Sequence, residues 1–306
     1  MSVIGLDTSN YTTSIAVFDG LDGVNCSQLL PVKAGELGLR QSDAVFHHTK
    51  SLPELSGRLF SHVSGDISAV AVSTRPRAVE GSYMPCFMVG YSHGKLLSDS
   101  WKVPLYEVSH QQGHVAAALW SAGRLDLMDQ PHLAWHLSGG TTELLLVEPE
   151  GKNVKCSRIG GTTDISAGQL IDRTGQLLGL SFPAGKRLDA LSKAADKLDF
   201  FRVKCPELSF SLSGVQNKVQ EYFQAGNSSE DTAAFALRCV CYAVSKATDN
   251  ARKAYPGLEV VFSGGVASNS MLRDLTAEFN PVFAQPQYST DNAMGVAVLA
   301  HRLQEG

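Results

Sequence analysis

The chain has 306 residues, 26 Lys and Arg against 30 Asp and Glu, and a net charge of −4 with histidine neutral. Its length suits one large or two medium domains that fold without staples, and its slightly negative balance excludes RNA binding through a whole-chain basic field, leaving a local basic patch or a partner protein. Cys26, Cys86, Cys156, Cys205, Cys239 and Cys241 form no Cys-x-x-Cys pair; with no basic leader and no membrane-length apolar run, the expectation is a cytoplasmic protein with reduced thiols and no membrane contact.

The chain opens with Val3-Ile4-Gly5-Leu6-Asp7-Thr8-Ser9 and Thr13-Ser14-Ile15-Ala16-Val17-Phe18-Asp19. Two β-rich runs around a small polar turn predict a hairpin whose bend offers hydroxyls and backbone amides, making Thr8, Ser9 and Asn10 candidates for holding a phosphate. A helix is expected from Leu52 to His62, a strand over Ile67 to Ser73, a long helix over Ser82 to Ser98, and a strand from Pro104 to Val108. His47-His48, just ahead of the first of these helices, reads as an exposed loop pair. The segment Ser109-His110-Gln111-Gln112-Gly113-His114 follows, with two histidines four apart on one helix face.

A second hairpin of the first type runs from Leu133 through Ser138-Gly139-Gly140-Thr141 to Val147. Its glycines permit close approach of an anion to the backbone. Two such hairpins about 130 residues apart indicate an internal duplication. Asp164 to Leu178 predicts a helix ending at Gly179, before the turn Phe182-Pro183-Ala184-Gly185. A helix from Ser229 to Tyr255 is expected to carry a capping box at Ser228 to Asp231 and to stop at Pro256-Gly257. Leu258 to Phe262 reads as a buried strand running into Ser263-Gly264-Gly265-Val266-Ala267-Ser268-Asn269 and a helix. That turn suits a nucleoside or phosphate, although a strand-to-helix bend needing positive φ has the same composition.

The two histidines, with Asp291 in the late segment Ser289-Thr290-Asp291-Asn292, supply a two-His, one-carboxylate donor set for a metal. Helix histidines that merely hydrogen-bond have the same spacing. Gln111 stands where zinc peptidases of the His-Glu-x-x-His type place their general base, and an amide takes no proton at neutral pH. A metal here suits polarising a ligand oxygen better than hydrolysing peptides.

Two phosphate-type hairpins and one Gly-Gly turn, in this order, resemble the duplicated, two-lobed α/β architecture of the actin, Hsp70 and sugar-kinase superfamily, with its central nucleotide cleft. Within it the chain resembles the tRNA adenosine threonylcarbamoyltransferases, once called O-sialoglycoprotein endopeptidases, over nearly its whole length. The resemblance rests on His110 and His114, on Thr290-Asp291-Asn292, on Ser138 to Gly140, on Ala167, Gly168, Asp172 and Gly185, on Phe210 to Gly214, and on Gly264 to Asn269. It implies an N-terminal lobe over residues 1–130, completed by 288–306 and carrying the metal helix, and a C-terminal lobe over 131–287. It further implies one divalent ion (iron, zinc or magnesium) on His110, His114 and Asp291. Threonylcarbamoyl-AMP or ATP would be bound by Leu137, Ser138, Gly139, Gly140, Thr141, Asp172, Gly185 and Asn269 beside the Gly264-Gly265 turn. The implied reaction is transfer of the threonylcarbamoyl group to the adenosine next to the anticodon of tRNA, in company with small accessory proteins.

The chain departs from the family pattern at defined places. Tyr11 and Thr12 replace an acidic pair in the first hairpin, Thr141 replaces a histidine, Thr74-Arg75-Pro76-Arg77 replaces a Gly-Pro-Gly-rich segment, and Gln216 replaces a lysine. Two carboxylates fewer means fewer groups able to accept a proton. A catalytically altered paralogue that binds or hydrolyses ATP as a regulatory or partner-binding component is therefore the alternative. A small-molecule kinase or carbamoyl transferase of the same superfamily is a third.

Overall fold

Each of the two hairpins opens a sheet. The computed structural model describes residues 1–9, 11–31, 39–63 and 65–305; Asn10 lies outside them. In chain order the elements are β1 (Ser2–Ser9), β2 (Thr12–Phe18), β3 (Gly23–Leu29), α1 (Gln41–Phe60), β4 (Ile67–Arg75), α2 (Phe87–Trp101), β5 (Leu105–Ser109) and α3 (His110–Ser121). There follow β6 (His132–Leu137), β7 (Thr142–Glu150), β8 (Asn153–Thr162), α4 (Ala167–Leu177), α5 (Gly185–Ser192), β9 (Ser209–Phe210), α6 (Ser213–Gln224), α7 (Ser229–Ala254), β10 (Val260–Ser263), α8 (Ser270–Thr276), β11 (Val282–Phe283) and α9 (Met294–Gln304).

The first sheet has the order β3-β2-β1-β4-β5 and the second β11-β10-β6-β7-β8-β9. Read from its far edge, the second repeats the first: the opening hairpin strand pairs its partner antiparallel on one side and a later strand in parallel on the other. In each sheet a further parallel strand closes that side, β5 beside β4 and β11 beside β10. This is the duplication expected from the paired hairpins, and β9 is an addition to the second copy.

The chain divides into two compact units, one of residues 1–130, 148–156 and 287–306, the other of 131–147 and 157–286. In the first, Ile4, Leu6, Ile15, Val17, Val70 and Val72 pack against Leu52, Leu55 and Leu59 of α1 and Val89 of α2. α9 packs on β1 and β4 as well. Covered so, β1 and β2 are buried at every position, including the polar residues Asp7, Thr8, Ser9, Thr12, Thr13 and Ser14 that flank their bend. In the second unit Trp135, Phe210, Phe262 and one face of α7 form the core.

Three expectations are corrected. α1 begins at Gln41 rather than near Leu52, with Pro53 in its interior. His47-His48 is therefore helical, and His48 is fully buried with its Nδ1 2.8 Å from the Thr13 hydroxyl. The apolar face that includes Ala44, His48, Leu52, Leu55 and Leu59 holds this helix down despite the proline. Ser228 accepts from the Asp231 amide as expected, but the Asp231 carboxylate turns away to the amides of Asp196 and Lys197, so the box is half closed.

Candidate metal centre and nucleotide turns

Ser109 ends β5 in extended conformation and begins α3 with a full capping box: its hydroxyl accepts from the Gln112 amide while the Gln112 side chain accepts from the Ser109 amide. This fixes His110 in the first turn. His114 lies one turn on, on the same face, and Asp291 approaches from the segment before α9. The two Nε2 atoms are 2.9 Å apart, and Asp291 Oδ1 lies 3.2 Å from that of His114 and 3.6 Å from that of His110. One donor atom from each residue lies within 4.8 Å of the others.

Those spacings are informative. Two ligands about 2.1 Å from one ion, separated by tetrahedral or right angles, stand about 3.0–3.4 Å apart. At 2.9, 3.2 and 3.6 Å the triad is close to that pattern. Ser9 Oγ is buried with no hydrogen-bond partner among the described residues, and the Ser9 amide donates to Asp7, the partner of His110. The donor set and its surroundings fit a divalent cation.

Electrostatics concentrate on the same residues. Behind His110, its Nδ1–H donates to Asp7 Oδ2 at 2.7 Å. Burial alone would lower the His110 pKa, but Asp7 and Asp291 raise it to about 10. Burial opposes ionisation of Asp291 as well, yet the hydrogen bonds and charge of His110 and His114 hold it well below the usual carboxylate range.

What brings Asp291 to the helix is a backbone contact. A Cβ on Gly295 would lie 1.8 Å from the Gly113 carbonyl oxygen and 2.7 Å from the Ala117 nitrogen. Only glycine lets α9 approach α3 so closely. Asn292 fixes the intervening turn, accepting from the Met294 amide and donating to the Thr290 and Tyr288 carbonyls. The backbone N–H of Gln111 donates to the Pro76 carbonyl, which seats the Arg75-Pro76-Arg77 segment against the start of α3.

In the second unit the residues marked for nucleotide fall into distinct settings. The turn Ser138 to Thr141 closes on itself, the Ser138 amide donating to the Thr141 carbonyl and the Thr141 amide to the Ser138 hydroxyl. Gly139 and Gly140 would carry a Cβ into open space. Behind them α4 is packed backbone to backbone, since a Cβ on Gly168 would sit 2.4 Å from the Ser138 carbonyl oxygen. Leu137 is buried beneath the turn. Gly264 has φ +91 and a Cβ there would meet the Leu137 carbonyl oxygen at 2.2 Å, so the fold accounts for this glycine; Gly265 faces nothing within 4 Å.

Asp172 accepts from the Ala184 amide and its carboxyl is raised by burial. Gly185 opens α5. Asn269 caps α8 through the Leu272 amide and donates to Asp189 at 2.8 Å. In the first unit Thr8 points to α2, donating to the Cys86 carbonyl and accepting from the Gly90 amide. Tyr11 is exposed and Thr12 buried.

Asp7, Asp164 and Asp189 are missing from the sequence-derived site. Asp7 was visible as the lone acid of an apolar strand. Asp164 gathers the Ser211 and Ser213 hydroxyls and the Leu212 amide at the start of α6, which the serines of Phe210-Ser211-Leu212-Ser213-Gly214 hinted at. Asp189 gave no signal beyond an acid on a short helix.

Residues 37–298 match the family defined as tRNA N6-adenosine threonylcarbamoyltransferase, TsaD. The chain belongs to that family. Relatives bearing this name include one from Sulfurihydrogenibium sp. strain YO3AOP1, 32% identical with 99% of this chain and 90% of that one covered. Another, from Thermosipho africanus strain TCF52B, is 32% identical over 99% of this chain and 94% of that one. Among solved structures, full-length HypF in its phosphate- and nucleotide-bound form matches with a TM-score of 0.63 at 16% identity, all of this chain covering 56% of HypF. A ROK hexokinase from Thermus thermophilus matches at 0.52 and 16% over the full length of both chains. At such identities these structures speak for the fold alone, a duplicated α/β architecture of two sheets with helices.

Proposed function

We propose that this chain transfers a threonylcarbamoyl group from threonylcarbamoyl-AMP to the adenosine next to the anticodon of tRNA, with one divalent cation held by His110, His114 and Asp291. The observation that carries the metal is the convergence of two imidazole nitrogens and a carboxylate oxygen at 2.9, 3.2 and 3.6 Å. Two imidazoles favour zinc or iron over magnesium, which prefers oxygen ligands. When bound, the ion supplies Lewis-acid stabilisation of negative charge on the carbamoyl or phosphate oxygens.

The residues of the chain do the rest. The open turns at Gly139-Gly140 and Gly265 offer backbone to the nucleotide, with Asn269, Asp172 and Gly185 as the neighbouring lining proposed from the family motifs. Thr8, Ser9 and Asn10 are the phosphate-binding proposals of the first hairpin. Exposed Arg75 and Arg77 suit tRNA phosphate, and small accessory proteins are the expected company. In the transfer the acyl carbon exchanges its phosphate oxygen for the N6 nitrogen of adenosine; AMP leaves with the bonding pair and the amine releases a proton.

The second reading, a catalytically altered paralogue that binds or hydrolyses ATP, is favoured by Tyr11, Thr12 and Thr141. None of these side chains accepts a proton as a carboxylate or imidazole does. Purified protein incubated with threonylcarbamoyl-AMP and unmodified tRNA decides between them: threonylcarbamoyladenosine in the digested tRNA supports transfer, and ATP binding without product supports the paralogue. Equal metal content in wild type and His110→Ala would sink the metal assignment.

A further inference from the structure

We propose that Asp7 is the positioning residue of the metal centre: its carboxylate accepts the Nδ1–H of His110 and so keeps the Nε2 lone pair directed at the cation. The inference rests on the metal reading above and adds a residue that lies 103 positions from His110 in the chain.

An imidazole ligates a metal through a nitrogen bearing a lone pair, and which nitrogen that is depends on the hydrogen bond made by the other. Here Nδ1 lies 2.7 Å from Asp7 Oδ2 while Nε2 faces His114 and Asp291. The second oxygen of Asp7 is occupied by the Ser9 amide at 2.8 Å. Asp7 is 1% exposed on β1, in register with Ser14 of β2, so the carboxylate has little freedom to turn. A carboxylate costs free energy in such a place unless it is paired. An apolar residue would serve the strand at least as well, and only the acid orients His110.

The arrangement makes an isosteric substitution sensitive. Ser9 N–H and His110 Nδ1–H both need acceptors, and the amide of Asp7→Asn has one oxygen. If that oxygen stays on Ser9, the NH2 group faces Nδ1 and favours the tautomer with its proton on Nε2, where the metal binds.

The test is zinc titration of wild type and Asp7→Asn, with thermal unfolding of both apo proteins, and 15N imidazole shifts of zinc-loaded wild type. The expected result is a loss of about 10–100-fold in zinc affinity in a folded variant, with His110 protonated at Nδ1 and zinc-bound through Nε2. Zinc affinity of Asp7→Asn within about twofold of wild type, well short of that range, overturns this inference alone. So does ligation through Nδ1 in the wild-type spectrum, which decides the matter even if the variant does not fold. A wild type that binds no zinc or iron overturns both this inference and the metal reading beneath it.

Discussion

Gly113 and Gly295 meet where α3 and α9 pack together, so closely that a methyl group on Gly295 would sit 1.8 Å from the Gly113 carbonyl oxygen. Gly113 precedes His114, and Gly295, in the first turn of α9, follows Asp291 by four residues. The same contact that fixes the two helices therefore sets the distance between two residues of the triad.

Gly295→Ala should force the helices apart, because the obstacle is backbone and cannot rotate away. A destabilisation of about 1–3 kcal/mol is expected from overpacking, together with loss of metal, as Asp291 retreats from His114. Thermal unfolding and metal analysis on one preparation check this; a variant with wild-type stability and full metal content would show that the contact is not what places Asp291.

The legible parts of this molecule are those carried by local pattern. Both hairpins, the start of α3 and the His110–His114 pair follow from periodicity, capping and spacing. Asp291 was visible through its short polar motif and the family resemblance. Partners distant in sequence were not: Asp7 reads as decoration at a strand end until the fold puts it against His110, and Asp189, 80 positions from the Asn269 it accepts from, carries no local signal. The first half of α1 is hard to read because Pro53 looks like a helix start, and the polar run around His47-His48 hides an apolar face made in part by a buried histidine.

That histidine gives a pH prediction. Burial lowers the His48 pKa from 6.5 to about 4, partly offset by the charge of Asp7. The unfolded chain then binds the proton more readily than the folded one, so stability is complete above pH 6.5 and falls as pH drops towards 4. The loss attributable to His48 is on the order of 3 kcal/mol across that window. His48→Asn, which can keep a bond to Thr13, should flatten this part of the urea-unfolding profile; parallel profiles for the two proteins would count against it.

The first hairpin offers a test of catalytic competence. Thr12 is 8% exposed and sits in register between Ser9 and Leu29, so a glutamate there would bury a charge. Tyr11 is 38% exposed and tolerates replacement. If the missing carboxylates limit the reaction, Tyr11→Asp should raise the rate of tRNA modification by up to about 10²–10⁴-fold, the usual worth of general-base help. An unchanged rate from a wild type that already turns over at about 1 s⁻¹ or faster would show that the hairpin substitutions are neutral.

The paired glycines after β10 should respond in opposite ways. Gly264 has positive φ and no room for a Cβ against the Leu137 carbonyl, so Gly264→Ala strains the backbone and also clashes. Its main effect should be on folding, by about 1–3 kcal/mol. Gly265 has nothing within 4 Å of a Cβ position, so Gly265→Val has no contact to break and should leave thermal stability close to wild type. If nucleotide approaches the backbone there, the branched side chain occupies the ligand's place, and calorimetry with AMP or ATP should show affinity falling at least about tenfold, equivalent to 1.4 kcal/mol. A folded Gly265→Val protein with undiminished affinity would move the nucleotide off this turn and leave Gly264 explained by the fold alone.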